Sequence, residues 1–342
     1  MDSNVFGVFN EADLAQVRRF NTTLARLPRF RIRNRVTPRV IQALLRAGQL
    51  GSALRFSRHR LNTQTRVITL DGVSVPLRIM WPKGQPQGVV LDFHGGGWVI
   101  GNAQMNDAFN VAMVNECNVI TVSVDYRLAV SAPVQDLLTD CLYAARWLLD
   151  ESNREFAGLP VVVVGESAGG HLAAATLLGL KTWPGLLQRV SGALLYYGVF
   201  DLTGTPSVRT AGPDTLLLDG PGMVDAFRML TPDLTDLERR QPPLSPLYGD
   251  LTGFPPALMV VGDLDPLRDD TLQMAERWRG SAEVEHHLLP DCPHGFIHFP
   301  TRVAARTLEH SRAWISRRIM AERNLRSNHP GGDRADASVA DR

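Results

Sequence analysis

The chain has 342 residues, is 44% hydrophobic and carries a formal net charge of +1. That is enough apolar material for one large core, and the balanced charge removes any global electrostatic case for nucleic acid or an acidic substrate. Three cysteines, Cys117, Cys141 and Cys292, have neither metal nor redox spacing, and no run approaches the ~18 apolar residues of a membrane span.

The start, Met1 to Asn10, lacks a basic segment followed by a long apolar run, so a cytoplasmic protein without stable membrane insertion is expected. Next, Glu11 to Leu27 places Leu14, Val17, Leu24 and Leu27 near one helical face, and Pro38 to Leu50 predicts a second helix. Twelve arginines lie between Arg18 and Arg60. Attraction to anionic lipid is one reading. A solvated helix face or a subunit contact fits better, because aromatics are not interleaved as a membrane anchor requires.

Arg66 to Leu70 and Val73 to Met80 alternate in strand fashion around Asp71-Gly72, a two-residue hairpin signal. Pro76 is expected to make the second strand an edge. Strands then follow at Val89–Phe93, Val119–Val124, Val161–Val164, Ala193–Tyr197, Ala257–Val261 and Val284–Leu289, alternating with helical stretches. Such alternation predicts an α/β fold with a mostly parallel sheet covered on both faces.

The chemistry sits just past four of these strands. After the first comes His94-Gly95-Gly96-Gly97-Trp98. Successive glycines let the backbone approach a ligand and leave N–H groups unpaired, as donors to a developing oxyanion must be. The bland alternative is a flexible turn. His94 precedes the serine in the chain, and its expected role is to hold the glycine loop by hydrogen bonding. The run Val161 to Gly170, V-V-V-V-G-E-S-A-G-G, drives a buried strand into a glycine-framed serine, Ser167. This is the nucleophile-elbow pattern, with a helix N-terminus behind the hydroxyl.

Two further loops complete the set: Gly262-Asp263-Leu264-Asp265-Pro266-Leu267 and Asp291-Cys292-Pro293-His294-Gly295-Phe296. Acid and histidine would reach the same sheet edge as Ser167, in the chain order serine, acid, histidine. A serine hydroxyl needs an imidazole to take its proton, and the acid fixes that imidazole's tautomer. The residues alone leave Asp263 and Asp265 open as the acid. Cys292 reads as a reactive thiol or, preferably, a small buried filler. His286, His287 and His298 show no acidic partner at metal spacing, so no metal site is expected. His171 is expected to pack or cap.

Taken together, His-Gly-Gly-Gly-Trp, Gly-Glu-Ser-Ala-Gly-Gly, Asp-Pro-Leu-Arg-Asp and His-Gly-Phe resemble the hormone-sensitive-lipase-like esterases, bacterial branch, over roughly Thr65 to Met320. The resemblance implies an α/β-hydrolase fold with Ser167 as nucleophile, Asp265 as acid and His294 as base. It also implies an oxyanion hole from the N–H groups of Gly96, Gly97 and Ala168. Two departures stand out: Val130-Ser131-Ala132-Pro133 follows Asp125-Tyr126-Arg127-Leu128-Ala129 where the family continues Pro-Glu, and Glu166 precedes the serine where many members carry Asp. Glu166 is expected to support the site without being catalytic.

In that family, segments corresponding to residues 1–62 and to an insert at about 201–248 form a helical cap on the catalytic domain, here 63–325. The insert residues Leu216, Leu217, Leu218, Met223, Phe227, Met229 and Leu230 would line an acyl pocket, with most of them simply packing. Trp98, Tyr197, Phe227 and Leu230 are the pocket candidates, and Asp201 a further one at its border. The tail from Arg326 reads as disordered. The expectation is a serine carboxylesterase acting on a small-molecule ester, with no cofactor, no metal and no nucleic-acid partner. Helices and an edge strand would support a homodimer. An amidase or acyltransferase would use the same triad. A ligand receptor on this fold would typically lack the histidine that His294 supplies.

Overall fold

The structure is a computed structural model that describes residues 9–32, 34, 36–49 and 61–328. Its helices of eight or more residues and its strands are named here in chain order. Helix α1, Glu11–Leu24, starts where the Asn10 side chain accepts from Asp13 N–H at 2.9 Å, which satisfies one of the free donors of a helix start. Helix α2 follows at Val36–Gln49. Strands β1, Asn62–Leu70, and β2, Val73–Trp81, form the hairpin around Asp71-Gly72, with Leu70 opposite Val73.

The alternating body comes next: β3 Gly88–Phe93, α3 Asp107–Cys117, β4 Val119–Val124, α4 Val134–Leu149, β5 Val161–Glu166, α5 Ala168–Leu180 and β6 Val190–Tyr196. The insert then contributes α6, Met223–Leu230, with shorter helical turns on either side. Last come β7 Ala257–Gly262, α7 Arg268–Trp278, β8 Val284–Leu289 and α8 Arg302–Asn328. The eight strands form one sheet in the order β1-β2-β4-β3-β5-β6-β7-β8, parallel from β4 to β8.

Strand periodicity explains the valine run. Val161 and Val163 join a core that includes Leu137 and Leu148 of α4 and Leu172 and Leu177 of α5. Val162 and Val164 face the other way, into a core with Val17 of α1, Met113 of α3 and Trp314 and Ile315 of α8. A central strand covered on both faces must be apolar at every position, so it reads as a continuous β-branched run.

Two expectations need correction. Pro76 does not make β2 an edge strand: β2 lies between β1 and β4, and β1 is the edge. The ring is tolerated because β4 pairs only with Leu77 to Met80. At Pro76 the ladder towards β4 has ended, and only the proline carbonyl is used, accepting from Asp125 N–H at 2.9 Å. The C-terminal boundary also moves, since α8 continues through Asn328; the remainder of the expected disordered tail, 329–342, lies outside the described residues.

The N-terminal segment and the insert are joined to each other. Phe30 forms a parallel bridge with Leu218, donating its N–H to Leu217 O at 2.6 Å and accepting from Asp219 N–H at 3.1 Å. Several of the N-terminal arginines tie this segment to the insert or to the catalytic domain. Arg31 pairs with Asp219 at 3.2 Å, Arg29 donates to Thr215 O, Arg39 to Val130 O, and Arg18 pairs with Asp291 at 2.7 Å. Arg33, Arg35, Arg55, Arg58 and Arg60 lie outside the described residues.

Candidate active site

Ser167 occupies the corner between β5 and α5 with φ 54° and ψ −119°, a conformation that costs a side-chain-bearing residue order of 1–3 kcal/mol. The surrounding glycines make the corner feasible. A Cβ on Gly169 would stand 1.9 Å from Phe93 O, and one on Gly165 would stand 2.3 Å from Gly169 O. Both contacts are with backbone, so α5 can approach the sheet this closely only with glycine at these positions.

The loops after β7 and β8 bring the other two groups to the same edge. His294 Nε2 is 2.9 Å from Ser167 Oγ, and His294 Nδ1 is 2.8 Å from Asp265 Oδ2. Asp265 is buried, and its second oxygen accepts from Leu267 N–H at 2.8 Å. This geometry separates the two candidate acids: Asp265 meets the histidine, whereas Asp263 lies on the far side of the turn with its carbonyl accepting from Arg268. The loop that carries His294 is held from outside by α1, where Asn21 donates to Asp291 O at 2.8 Å.

The glycine loop adopts positive φ at Gly96 (105°) and Gly97 (58°). Gly96 is tied down through its carbonyl, which accepts from Val99 and Ile100. The N–H groups of Gly96, Gly97 and Ala168 donate to no other described group. His94 anchors the loop from beneath: it is buried, its Nδ1 is 2.8 Å from Gly95 O, and its ring stacks on Tyr126 at 4.1 Å. Tyr126 Oη also donates to His94 O at 2.6 Å. The altered Val130-Ser131-Ala132-Pro133 stretch does not disturb this contact, and Ala129 N–H still reaches Trp98 O at 2.8 Å.

His171, fully buried on the first turn of α5, ties three parts of the site together. Its Nε2 lies 2.8 Å from Leu244 O in the insert, and its Nδ1 accepts from Trp98 Nε1–H at 3.1 Å. Burial lowers its pKa to about 4, so the ring is neutral at pH 7 and serves as donor on one side and acceptor on the other.

Glu166 lies behind the elbow. Oε2 accepts from His298 Nε2 at 2.6 Å and from Tyr197 Oη at 3.1 Å, while Oε1 has no partner among the described residues. Burial works to raise its pKa, but the His298 charge and hydrogen bond, with Tyr197 and His294, hold it below the usual value. His298 responds in the opposite sense: burial lowers its pKa, and the carboxylate outweighs this and raises it.

A narrow cleft of about 60 Å³ opens over Ser167 and Gly97. Its walls are Trp98, Val199, Leu267, the N-terminal Phe30 and Ile32, and the insert residues Leu218, Met223, Ala226 and Phe227. Of the pocket candidates, Trp98 and Phe227 line this cleft. Tyr197 does not: it is buried behind His294, its ring edge-on to that imidazole at 4.7 Å. Leu230 is absent as well, because the cleft is covered by Met223, Ala226 and Phe227 on one face of α6 and ends a turn before it. Asp201 is buried in contacts with Thr203 and Tyr248, away from the cleft. Phe30 and Ile32 were missed, since nothing in their local sequence ties them to a serine more than a hundred residues away.

Cys292 fits the filler reading, because burial pushes its thiol far up and its carbonyl packs against Gly262. Of the three histidines expected to have no acidic partner at metal spacing, His286, His287 and His298, His287 has one: Glu285, His287 and His310 converge where β8 meets α8. His310 is in the next long helix, so the grouping is tertiary and has no sequence spacing to find.

A strained serine on a β5–α5 corner, with acid and base delivered by loops after later strands of a parallel sheet, defines a serine hydrolase of the α/β-hydrolase class. Comparison with known proteins agrees. The family model for the alpha/beta hydrolase fold matches residues 90–298. Carboxylesterase NlhH of Mycobacterium tuberculosis is 32% identical over 262 residues, covering 72% of this chain and 78% of the relative. Esterase LipI of the same organism is 30% identical over 276 residues, covering 77% and 85%. In fold, the chain is similar to a crystal structure of an esterase from the bacterial hormone-sensitive lipase family, with a TM-score of 0.66, 24% identity, and coverage of 93% and 99%. The chain belongs to the α/β-hydrolase fold family.

Proposed function

We propose that the chain is a serine carboxylesterase acting on small, short-acyl esters through an acyl-enzyme. The observation that carries this is the continuous hydrogen-bonded line from Asp265 through His294 to Ser167 Oγ, with links of 2.8 and 2.9 Å. His294 takes the serine proton as Oγ attacks the ester carbonyl. The N–H groups of Gly96, Gly97 and Ala168, which have no other acceptor among the described residues, stabilise the resulting oxyanion. Loss of one such donor typically costs ~10²–10³ in rate. His294 then passes its proton to the leaving alcohol, and water attacks the acyl-serine by the same route in reverse. The apolar walls supplied by Trp98, Met223 and Phe227 and the limited cleft support small esters with short acyl chains.

Hydrolysis of p-nitrophenyl acetate, butyrate, octanoate and laurate by the wild type and Ser167→Ala tests the reading. The expected result is activity highest on the short esters and a loss of at least about 10³-fold in the variant. Equal rates in the two proteins would refute it. A serine-dependent rate on amides that exceeds the rate on esters would shift the assignment to an amidase.

The proposal also includes a cytoplasmic location and a homodimer. Three buried free cysteines accord with a reducing compartment, and among the described residues no helix is long and apolar enough to cross a membrane. Sedimentation of the purified chain tests the dimer.

A further inference from the structure

Away from Ser167, Glu285 and His287 on β8 and His310 on α8 bring three metal-ligand atoms within 4.8 Å of one another. Glu285 and His287 are two residues apart on a strand, so their side chains leave the same face. That face is the one α8 covers, and His310 comes down onto it from the helix. His286, between them, leaves the opposite face and meets Arg279 just past α7.

The donor atoms converge on a point. His287 Nε2 lies 2.8 Å from Glu285 Oε1, and His310 Nε2 contacts the same oxygen. The two rings stand nearly perpendicular, 81° apart with centroids 5.5 Å apart, so their Nε2 atoms approach from different directions. The imidazoles are largely withdrawn from water, 9% and 10% exposed, and the carboxylate is 22% exposed, which leaves one open side. Arg317 is the neighbouring cation, and it stands 3.7 Å from the other oxygen, Oε2.

We propose that Glu285, His287 and His310 form a Zn²⁺ site, with water as the fourth ligand. Two imidazoles and one carboxylate suit Zn²⁺ and other late first-row ions, whereas Mg²⁺ and Ca²⁺ require sets of oxygen ligands. Bonds of about 2.0–2.2 Å in a tetrahedron separate ligand atoms by about 3.3 Å. The carboxylate must therefore draw back from the imidazoles by less than about 1 Å, a rotamer adjustment open to a half-buried Glu side chain. Each Nε2 must offer its lone pair, so the proton it now donates leaves to solvent or is carried on Nδ1 instead. The ion would pin β8 to α8, and β8 runs straight into the loop that carries His294.

The test is titration of ZnCl₂ into chelator-treated, dialysed full-length protein, followed by calorimetry and by thermal melting. One ion per chain is expected. A free Zn²⁺ concentration of about a hundred times Kd should raise Tm by about 4 °C. His287→Ala and His310→Ala should each weaken binding at least about tenfold, while His286→Ala, on the other face, should not. The wild type loaded with Co²⁺ should show the visible ligand-field band of a tetrahedral site, a readout that requires no variant to fold. An absence of stoichiometric binding overturns the proposal. So does binding that survives both His287→Ala and His310→Ala, which would place the ion elsewhere, the triad histidine included.

Discussion

Removing His298 should harm the protein more than neutralising its partner Glu166, although Glu166 is adjacent to Ser167. The reason is an asymmetry of burial. Glu166 is 5% exposed, while the His298 side chain keeps 37% of its surface in solvent. In His298→Ala a buried carboxylate keeps only the Tyr197 hydroxyl as donor. Breaking one side of a buried pair typically costs ~3–5 kcal/mol, and the solvent around His298 reduces this to about 1–3 kcal/mol. Glu166→Gln, by contrast, removes the charge and retains an acceptor for Tyr197, at about 1 kcal/mol. The double variant should be close to Glu166→Gln alone, giving a coupling energy of about 1–3 kcal/mol in magnitude.

The pH dependence separates this account from a simple packing loss against Phe109, whose ring is 4.7 Å from that of His298. Glu166, with its folded pKa below the ordinary 4.5, contributes stability that is present above 4.5 and lost as pH falls through the depressed value. His298, raised above 6.5, contributes stability that is complete below 6.5 and lost as pH rises through the elevated value. Both contributions are therefore complete between about 4.5 and 6.5. The penalty of His298→Ala should peak near the top of that window. It should shrink at alkaline pH, where the wild-type imidazole is neutral, and at acid pH, where the isolated Glu166 takes up a proton. Thermal melts at pH 5, 6.5 and 9 measure it, with each kcal/mol moving Tm by about 1–2 °C in a chain of this size. A penalty that is flat across these pH values, or a Glu166→Gln penalty as large as that of His298→Ala, would sink the argument.

Other perturbations follow from the same contacts. Gly169→Ala places a methyl against Phe93 O and should either push α5 off β3 or prevent folding; a loss above about 3 kcal/mol is expected, with activity falling alongside it. His171→Phe fills the same volume but removes the acceptor for Trp98 and the donor to Leu244. It should lower kcat/KM by about tenfold while leaving the Tm within a few degrees, because it frees the glycine loop rather than the core. Asp270 accepts from Phe200 N–H, Asp201 N–H and Thr205 Oγ1, yet burial raises its pKa to about 7. Its contribution is complete below pH 3.8 and declines as pH rises through 7, so Asp270→Asn should compare better with the wild type at pH 8 than at pH 5 in thermal melts.

The hydrogen-bonded line from Asp265 through His294 to Ser167 was legible because each of its members is fixed by local constraints. Four valines in succession require a strand covered on both faces, and the glycines framing Ser167 are required by backbone contacts of 1.9 and 2.3 Å. Asp265 and His294 each lie at the end of a parallel strand, so topology alone brings them to one edge. Residues within a few positions of one another carry that information, which is why spacing and composition expose it. The choice of Asp265 over Asp263 needed either the family motif or the 2.8 Å contact, since both carboxylates occupy the same turn.

The wall of the cleft is encoded differently, which is why only two of the four pocket candidates line it. Trp98 could be found because it ends the glycine motif, and Phe227 because it lies on an apolar helical stripe in the insert. Phe30 and Ile32 reach Ser167 only after the N-terminal segment has paired with Leu217, Leu218 and Asp219, contacts that span nearly two hundred residues of chain. Tyr197 fails for the opposite reason. It stands at the end of a strand, as a pocket residue would, but its hydroxyl is drawn inward by Glu166 and its ring becomes the back wall of His294 instead. The cleft is therefore a product of two segments closing on each other, and a substitution that weakens the Phe30–Leu218 pairing should alter substrate preference without touching a residue of the catalytic line.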